Sequence, residues 1–147
     1  MQALRFLAER AGAGAVEEFA RTRVADVERR YGDALAAADP ADRPRILAEA
    51  LTGQGYAATT RAIPSGTQLC QHHCPVAHVA EQFPELCEAE TAAFARLLGT
   101  HVQRLATIAH GDGVCTTHIP RRPSLPSATA TARAASYNRK GPLCPTP

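Results

Sequence analysis

Residues 56–73, Tyr56-Ala-Ala-Thr-Thr-Arg-Ala-Ile-Pro-Ser-Gly-Thr-Gln-Leu-Cys-Gln-His-His73, decide the fold class. Two runs of strand-like composition, 56–63 and 67–73, flank Pro64-Ser65-Gly66, residue types that reverse a chain within a few positions. The stretch therefore reads as a β-hairpin. Everything before it is alanine-rich and poor in β-branched residues. The hairpin thus marks the passage from a helical first half to a mixed second half.

Upstream, Val16, Phe19, Ala20, Val24, Val27, Tyr31 and Leu35 recur at steps of three and four, with Glu17, Glu18, Arg21, Arg23 and Glu28 between them. That period predicts an amphipathic helix over 15–35. Gly12 and Gly14 separate it from a helical segment over 2–10. A further helix is expected over 42–53, capped by Asp42, with Pro44 in its first turn, Ile46, Leu47, Ala50 and Leu51 on its buried face, and Gly53 as its stop.

Downstream, Pro75 sits where a helix toward Phe83 can begin, and Pro84 interrupts it. The next helix runs from about position 85 or 87 through Phe94, Leu97 and Leu98 to Gly99. Glu85, Glu88 and Glu90 fall in its first turns, where negative charge opposes the positive helix end. Residues 101–110 and 114–119 read as strands joined by Gly111-Asp112-Gly113, a second hairpin. The expected class is α+β: N-terminal amphipathic helices, then two β-hairpins flanking a helical segment. Residues 1–53 form a helical linker or dimerisation region and 54–120 a cysteine-rich domain. Residues 121–147, rich in Pro, Ser, Thr and Ala, read as a disordered tail.

Charge is unevenly spread. Residues 1–120 hold 11 Lys/Arg against 14 Asp/Glu, whereas 121–147 hold five basic residues and no acidic one. A net-negative body offers no broad phosphate-binding surface. The absence of tryptophan and the scarcity of aromatics argue against a stacking platform for single strands. No apolar run reaches membrane-spanning length, and Arg5, Glu9 and Arg10 interrupt the start, so the chain reads as soluble and cytoplasmic, with no membrane partner. In that compartment five cysteines point to metal binding or thiol chemistry before disulfides.

Cys74, Cys87 and Cys115 all fall at expected element boundaries: the end of the first hairpin, the start of a helix, and just past the glycine turn of the second hairpin. If the hairpins share a sheet and the helices cross one face, the three converge. A soft thiolate set suits zinc or an iron–sulfur cluster. Cys74-Pro75 and Cys87-Glu88 both set a thiolate near a helix start, where its charge is favoured. Cys70, His73 and His78 are rival candidates for a fourth ligand: Cys70 precedes Cys74 by four, and His78 follows it by four. Cys144, in the tail, has the weakest claim, because ordering a tail has an entropic cost. Cys74 with His78, or Cys115 with His118, could be drawn as nucleophile and base, but no oxyanion site or Gly-rich cofactor loop accompanies them. The chain does not read as an enzyme.

Residues 72–90, HHCPVAHVAEQFPELCEAE, and 97–120, LLGTHVQRLATIAHGDGVCTTHIP, resemble the C-terminal cluster-binding region of SufR-type regulators, within the ArsR/DeoR-like winged-helix group. The resemblance implies that Cys74, Cys87 and Cys115 ligate a [4Fe-4S] cluster, with [2Fe-2S] or zinc ranked behind it. It further implies a homodimeric transcriptional regulator that senses iron–sulfur status and represses cluster-assembly genes. Such regulators carry a winged helix-turn-helix ahead of this region, and here the chain starts at Met1-Gln2-Ala3-Leu4. The expectation is a truncated form: operator DNA is a partner for a full-length protein, not specifically for this chain. A zinc-stabilised structural or protein-interaction domain is the alternative.

Overall fold

A computed structural model describes residues 2–121 and 143–146, the side chain of Ala13 excepted. The chain has a mixed α+β fold, with N-terminal helices, a further helical segment and a four-stranded antiparallel sheet. No helix in the described residues is long and apolar enough to cross a membrane.

The helical half follows its apolar period. Helix α1 (Gln2–Ala11) ends where Gly12 takes φ 81°, and α2 (Ala13–Ala37) runs on through Gly14 and Gly32. Val16, Ala20, Val24 and Leu35 are buried on one face of α2, as the spacing predicts. Phe19 departs from it and stands 43% exposed. Helix α3 (Arg43–Thr52) has Pro44 in its first turn, but Asp42 makes no side-chain cap. The turn before α3 is fixed by Asp39 instead, whose Oδ1 accepts from Ala41 N–H at 2.8 Å. Gly53 stays right-handed, so α3 unwinds gradually, and the left-handed residue comes later, at Gly55 with φ 90°.

Strands β1 (Ala58–Ile63) and β2 (Gly66–Gln71) pair in register from Ile63 opposite Gly66 to Ala58 opposite Gln71, leaving Pro64-Ser65 as the turn. After β2 comes a single helical turn, α4 (Ala77–Ala80), shorter than the helix expected to start at Pro75. Helix α5 (Glu85–Leu98) then ends on Gly99 in the left-handed conformation, as its sequence requires.

The second hairpin differs most from expectation. Strand β3 covers only Gln103–Ala106, and Ile108–His110 form a 3-10 turn instead of extending it. The reason is local: Thr107 N–H donates to Asp112 Oδ2 at 2.9 Å, and the Thr107 carbonyl accepts from His110 N and Asp112 N, each at 3.1 Å. These bonds coil the segment before β4 (Cys115–Pro120) begins. Strand β4 pairs with both β2 and β3, giving the order β1-β2-β4-β3. The two hairpins therefore share one sheet with β4 inside it.

Alternation along the strands gives the sheet two different faces. On one, Leu69 and Ile119 pack with Leu35, Leu47, Phe94 and Leu98. Residues of the 1–53 segment thus share a core with those of 54–120. On the other face Gln68, Cys70, Thr116 and His118 are buried. Part of their cover is the segment 143–146, held there by a Cys70–Cys144 disulfide and by Cys144 N–H donating to Thr116 Oγ1 at 3.3 Å. Cys144, expected in a disordered tail, is buried. The other residues of that tail, 122–142 and Pro147, lie outside the described residues.

Gly66 is required by close approach: a Cβ there would lie 2.1 Å from the Ile119 carbonyl oxygen. Gly66→Ala is expected to destabilise the fold by about 2–4 kcal/mol, read from the denaturant midpoint at unchanged slope. The disulfide closes a loop between positions 74 residues apart. Cys144→Ser should lower stability by about 2–4 kcal/mol in the same assay, and added reductant should bring the wild type to the variant's midpoint.

Candidate functional site

The helix-facing side of the sheet carries a polar group at the end where β2 finishes and β4 starts. Gln71 and Cys115 are register partners there, and Arg104 on β3 lies opposite Thr117 on β4. Helix α5 crosses this corner with Cys87, Glu90, Thr91 and Phe94, positions that share one helical face. The hairpin thus supplies Gln71, the second strand pair supplies Cys115 and Arg104, and the helix supplies the rest.

Arg104 is the centre. Its Nη2 donates to Glu90 Oε2 at 2.9 Å, Nη1 to Gln71 Oε1 at 3.0 Å and Nε to Thr91 Oγ1 at 3.3 Å. Gln71 Nε2 also donates to Glu90 Oε2, at 3.3 Å. The guanidinium carbon lies 5.5 Å from the Phe94 ring centroid. With side-chain exposures of 12% for Arg104 and 15% for Glu90, this pair is largely removed from water. Loss of either partner would strand a charge.

The three cysteines singled out by the sequence, Cys74, Cys87 and Cys115, surround this network as free thiols. Burial pushes all three thiols up from their ordinary range. For Cys87 the rise reaches about 11, burial being the largest cause and the Glu90 carboxylate the next, with the Cys115 and Cys74 thiolates adding to it. Cys74 is raised in part by Cys115 as well. The thiols are thus within electrostatic reach of one another. Cys115 carries opposing influences: Ile108 N–H donates to its Sγ at 3.2 Å, and Arg104 also favours its charged form. Tyr56, hydrogen-bonded to Glu90 and Arg23, has its phenol raised far above the ordinary value by burial.

Two cavities meet this group. One of about 610 Å³ lies between α5 and β3, walled by Cys87, Thr91, Ala92, Ala95, Leu105 and Ala106. A smaller one of about 250 Å³ reaches Glu90, Tyr56 and Arg23. Sequence reading missed Arg104 altogether and took Glu90 for a helix-end charge. Arg104, inside Gln-Arg-Leu-Ala, carries no motif that could have signalled its partners.

The candidates for a fourth ligand are elsewhere. Cys70 is bonded to Cys144 on the other face of the sheet. The His73 ring Nδ1 is 2.7 Å from the Gly55 carbonyl oxygen, and His78 is exposed on α4. Among the described residues no three His, Cys, Asp or Glu side chains are arranged so that they could hold a metal ion. Cys74, Cys87 and Cys115 therefore do not form a ligand set for a [4Fe-4S] cluster, a [2Fe-2S] cluster or zinc, and the expected metal cofactor is corrected on that ground. The iron–sulfur-sensing transcriptional regulator and its zinc-stabilised alternative fall with the cofactor. The DNA-binding label attached to that regulator goes with it: no helix-turn-helix occurs among the described residues. The expectation that cysteines here avoid disulfides is overturned by Cys70–Cys144.

The chain matches no protein-family model, no curated protein and no solved structure.

The raised Cys87 value has a measurable consequence. An acid whose folded value exceeds its unfolded one adds nothing to pH dependence while both states stay protonated; stability then falls as pH rises from the ordinary thiol value toward about 11. Alkylation of Cys87 by iodoacetamide, followed by peptide mass spectrometry, should be slow at neutral pH and accelerate about tenfold per pH unit through that same window.

Proposed function

We propose that this chain is a redox-responsive thiol module, non-catalytic and cytoplasmic, in which Cys87 and Cys115 exchange two thiols for one disulfide. The observation that carries the reading is that Cys87 on α5 and Cys115 on β4 both lie in the field of the buried Arg104–Glu90 pair, with Cys87 also feeling the Cys115 charge. Isolated buried cysteines act as small hydrophobes. Thiols grouped within electrostatic reach have a further chemistry open to them.

The reaction has two steps. A hydroperoxide, ROOH, transfers one oxygen to the Cys87 sulfur, giving a sulfenic acid and the alcohol ROH. The Cys115 sulfur then attacks the Cys87 sulfur, the S–S bond forms, and the hydroxyl leaves with the Cys115 proton as water. A dithiol reductant returns both thiols and is itself oxidised to a disulfide. Arg104 and the Ile108 N–H support the attacking sulfur, since both favour the charged form of Cys115. Cys87 is the better first target because it is only partly buried and lines the larger cavity, whereas Cys115 is 4% exposed.

The bond would join the first turn of α5 to the first residue of β4. Both elements contact Arg104, so oxidation would strain the network that holds β3 to α5. The fold already holds one disulfide, Cys70–Cys144, on the other face of the sheet, so the proposed bond would be a second and reversible one. The protonated resting state makes it slow and sets a threshold against mild oxidants.

Non-reducing peptide mapping after exposure to hydrogen peroxide tests the reading. A Cys87–Cys115 cross-link is expected in the wild type, reversible by dithiothreitol. Cys115→Ser should instead accumulate a Cys87 sulfenic acid trapped by dimedone. Recovery of all three thiols unmodified after prolonged oxidation would reject the proposal.

A further inference from the structure

Resting on the thiol reading above, the geometry points to uncharged organic hydroperoxides as oxidants that Cys87 meets in preference to hydrogen peroxide. The cavity between α5 and β3 is large for a two-oxygen molecule. At about 610 Å³ it falls in the range of sites that enclose small organic ligands. Its walls beside Cys87 are Ala92 and Ala95 from α5 and Val102, Leu105 and Ala106 from the β3 side, all apolar. A hydroperoxide with an aryl or branched alkyl group can bury that group against these side chains while its terminal oxygen meets the Cys87 sulfur. Hydrogen peroxide has no such group and gains nothing from the wall.

Charge at the rim selects further. Arg104 is the cavity's guanidinium, and its three hydrogen bonds commit it to Glu90, Gln71 and Thr91. Glu88 and Asp112 also line the cavity and carry negative charge, and the two histidines of the lining, His101 and His110, carry no fixed positive charge to set against them. An oxidant with its own carboxylate would meet those carboxylates without a free guanidinium to offset them. A neutral molecule is favoured. Thr107 supplies a hydroxyl along the same wall that can meet the peroxide oxygens or the departing alcohol, whereas the Thr91 hydroxyl is committed to the Cys87 carbonyl at 2.8 Å. Thr107 Oγ1 already sits 2.8 Å from His110 Nδ1, which fixes its direction.

The reacting atoms balance as in the general step: one peroxide O–O bond breaks, one S–O bond forms, the sulfur loses two electrons, and the organic group leaves as its alcohol.

The test compares cumene hydroperoxide with hydrogen peroxide on the full chain, following loss of the Cys87 thiol, with each rate divided by that of the same oxidant with free cysteine. In the wild type the normalised rate for cumene hydroperoxide is expected to exceed that for hydrogen peroxide by about tenfold to a hundredfold, the gain from burying an aromatic group. Ala92→Trp, which fills the cavity from an exposed helix position, should remove that preference. Leu105→Gln, which makes the wall polar without filling it, should reduce the preference in the same direction and serves if the tryptophan variant misfolds. Equal normalised rates in the wild type would overturn this inference while leaving the thiol reading intact, as would a preference that survives both substitutions. Failure of both oxidants to consume the Cys87 thiol would overturn the thiol reading, and this inference with it.

Discussion

The ion pair between Arg104 and Glu90 is the constraint around which the rest of the structure is arranged. A guanidinium and a carboxylate with side-chain exposures of 12% and 15% have lost most of their hydration, and only complete hydrogen bonding offsets that loss. The offset is spread over three elements: Glu90 and Thr91 on α5, Gln71 at the end of β2, and Arg104 on β3. Each bond fixes one element against another. The position of α5 over the sheet follows from this polar anchor as much as from Phe94, whose ring lies beneath the same guanidinium.

The anchor also governs the thiols. A buried cation beside Cys87 and Cys115 would ordinarily lower their values and make them reactive. Here Glu90 neutralises that cation and, being close to all three, adds its own negative field. Desolvation then dominates, and the sulfurs rest protonated. Proximity and low reactivity are joined in one site by the same pair.

Sequence legibility divides along physical lines. Helices α2, α3 and α5 and the β1–β2 hairpin could be read because each depends on local rules: apolar spacing, a proline in the first turn, a glycine at the end, a two-residue turn. Strand β4 could not be read as an interior strand. Cys-Thr-Thr-His-Ile-Pro alternates like a half-exposed strand, yet Thr116, Thr117 and His118 are buried because β2 and β3 flank them and a terminal segment helps cover the outer face. The Cys70–Cys144 pairing was equally hidden, since five cysteines allow many pairings and only the fold brings one pair together. The element boundaries placed Cys74, Cys87 and Cys115 in a loop, a helix and a strand, but not the Arg104–Glu90 pair whose field they share in part. Asp42 shows the limit in miniature: a good capping residue in the right place makes no cap when Asp39 already holds the turn.

The sheet therefore keeps two sulfur populations apart. Strand alternation sends Cys70 to one face and Cys115 to the other, although they are one register position apart across β2 and β4. On the outer face the sulfurs are joined, and Thr116 Oγ1 accepts the Cys144 backbone N–H. On the inner face the sulfurs remain thiols, crowded by Glu90 and shielded by α5. A one-residue slip of β2 against β4 would carry Cys70 to the inner face beside Cys115, so the register that Gly66 secures by its approach to Ile119 is also what keeps the two sulfur populations apart. Fold and redox chemistry depend here on a single alignment of strands.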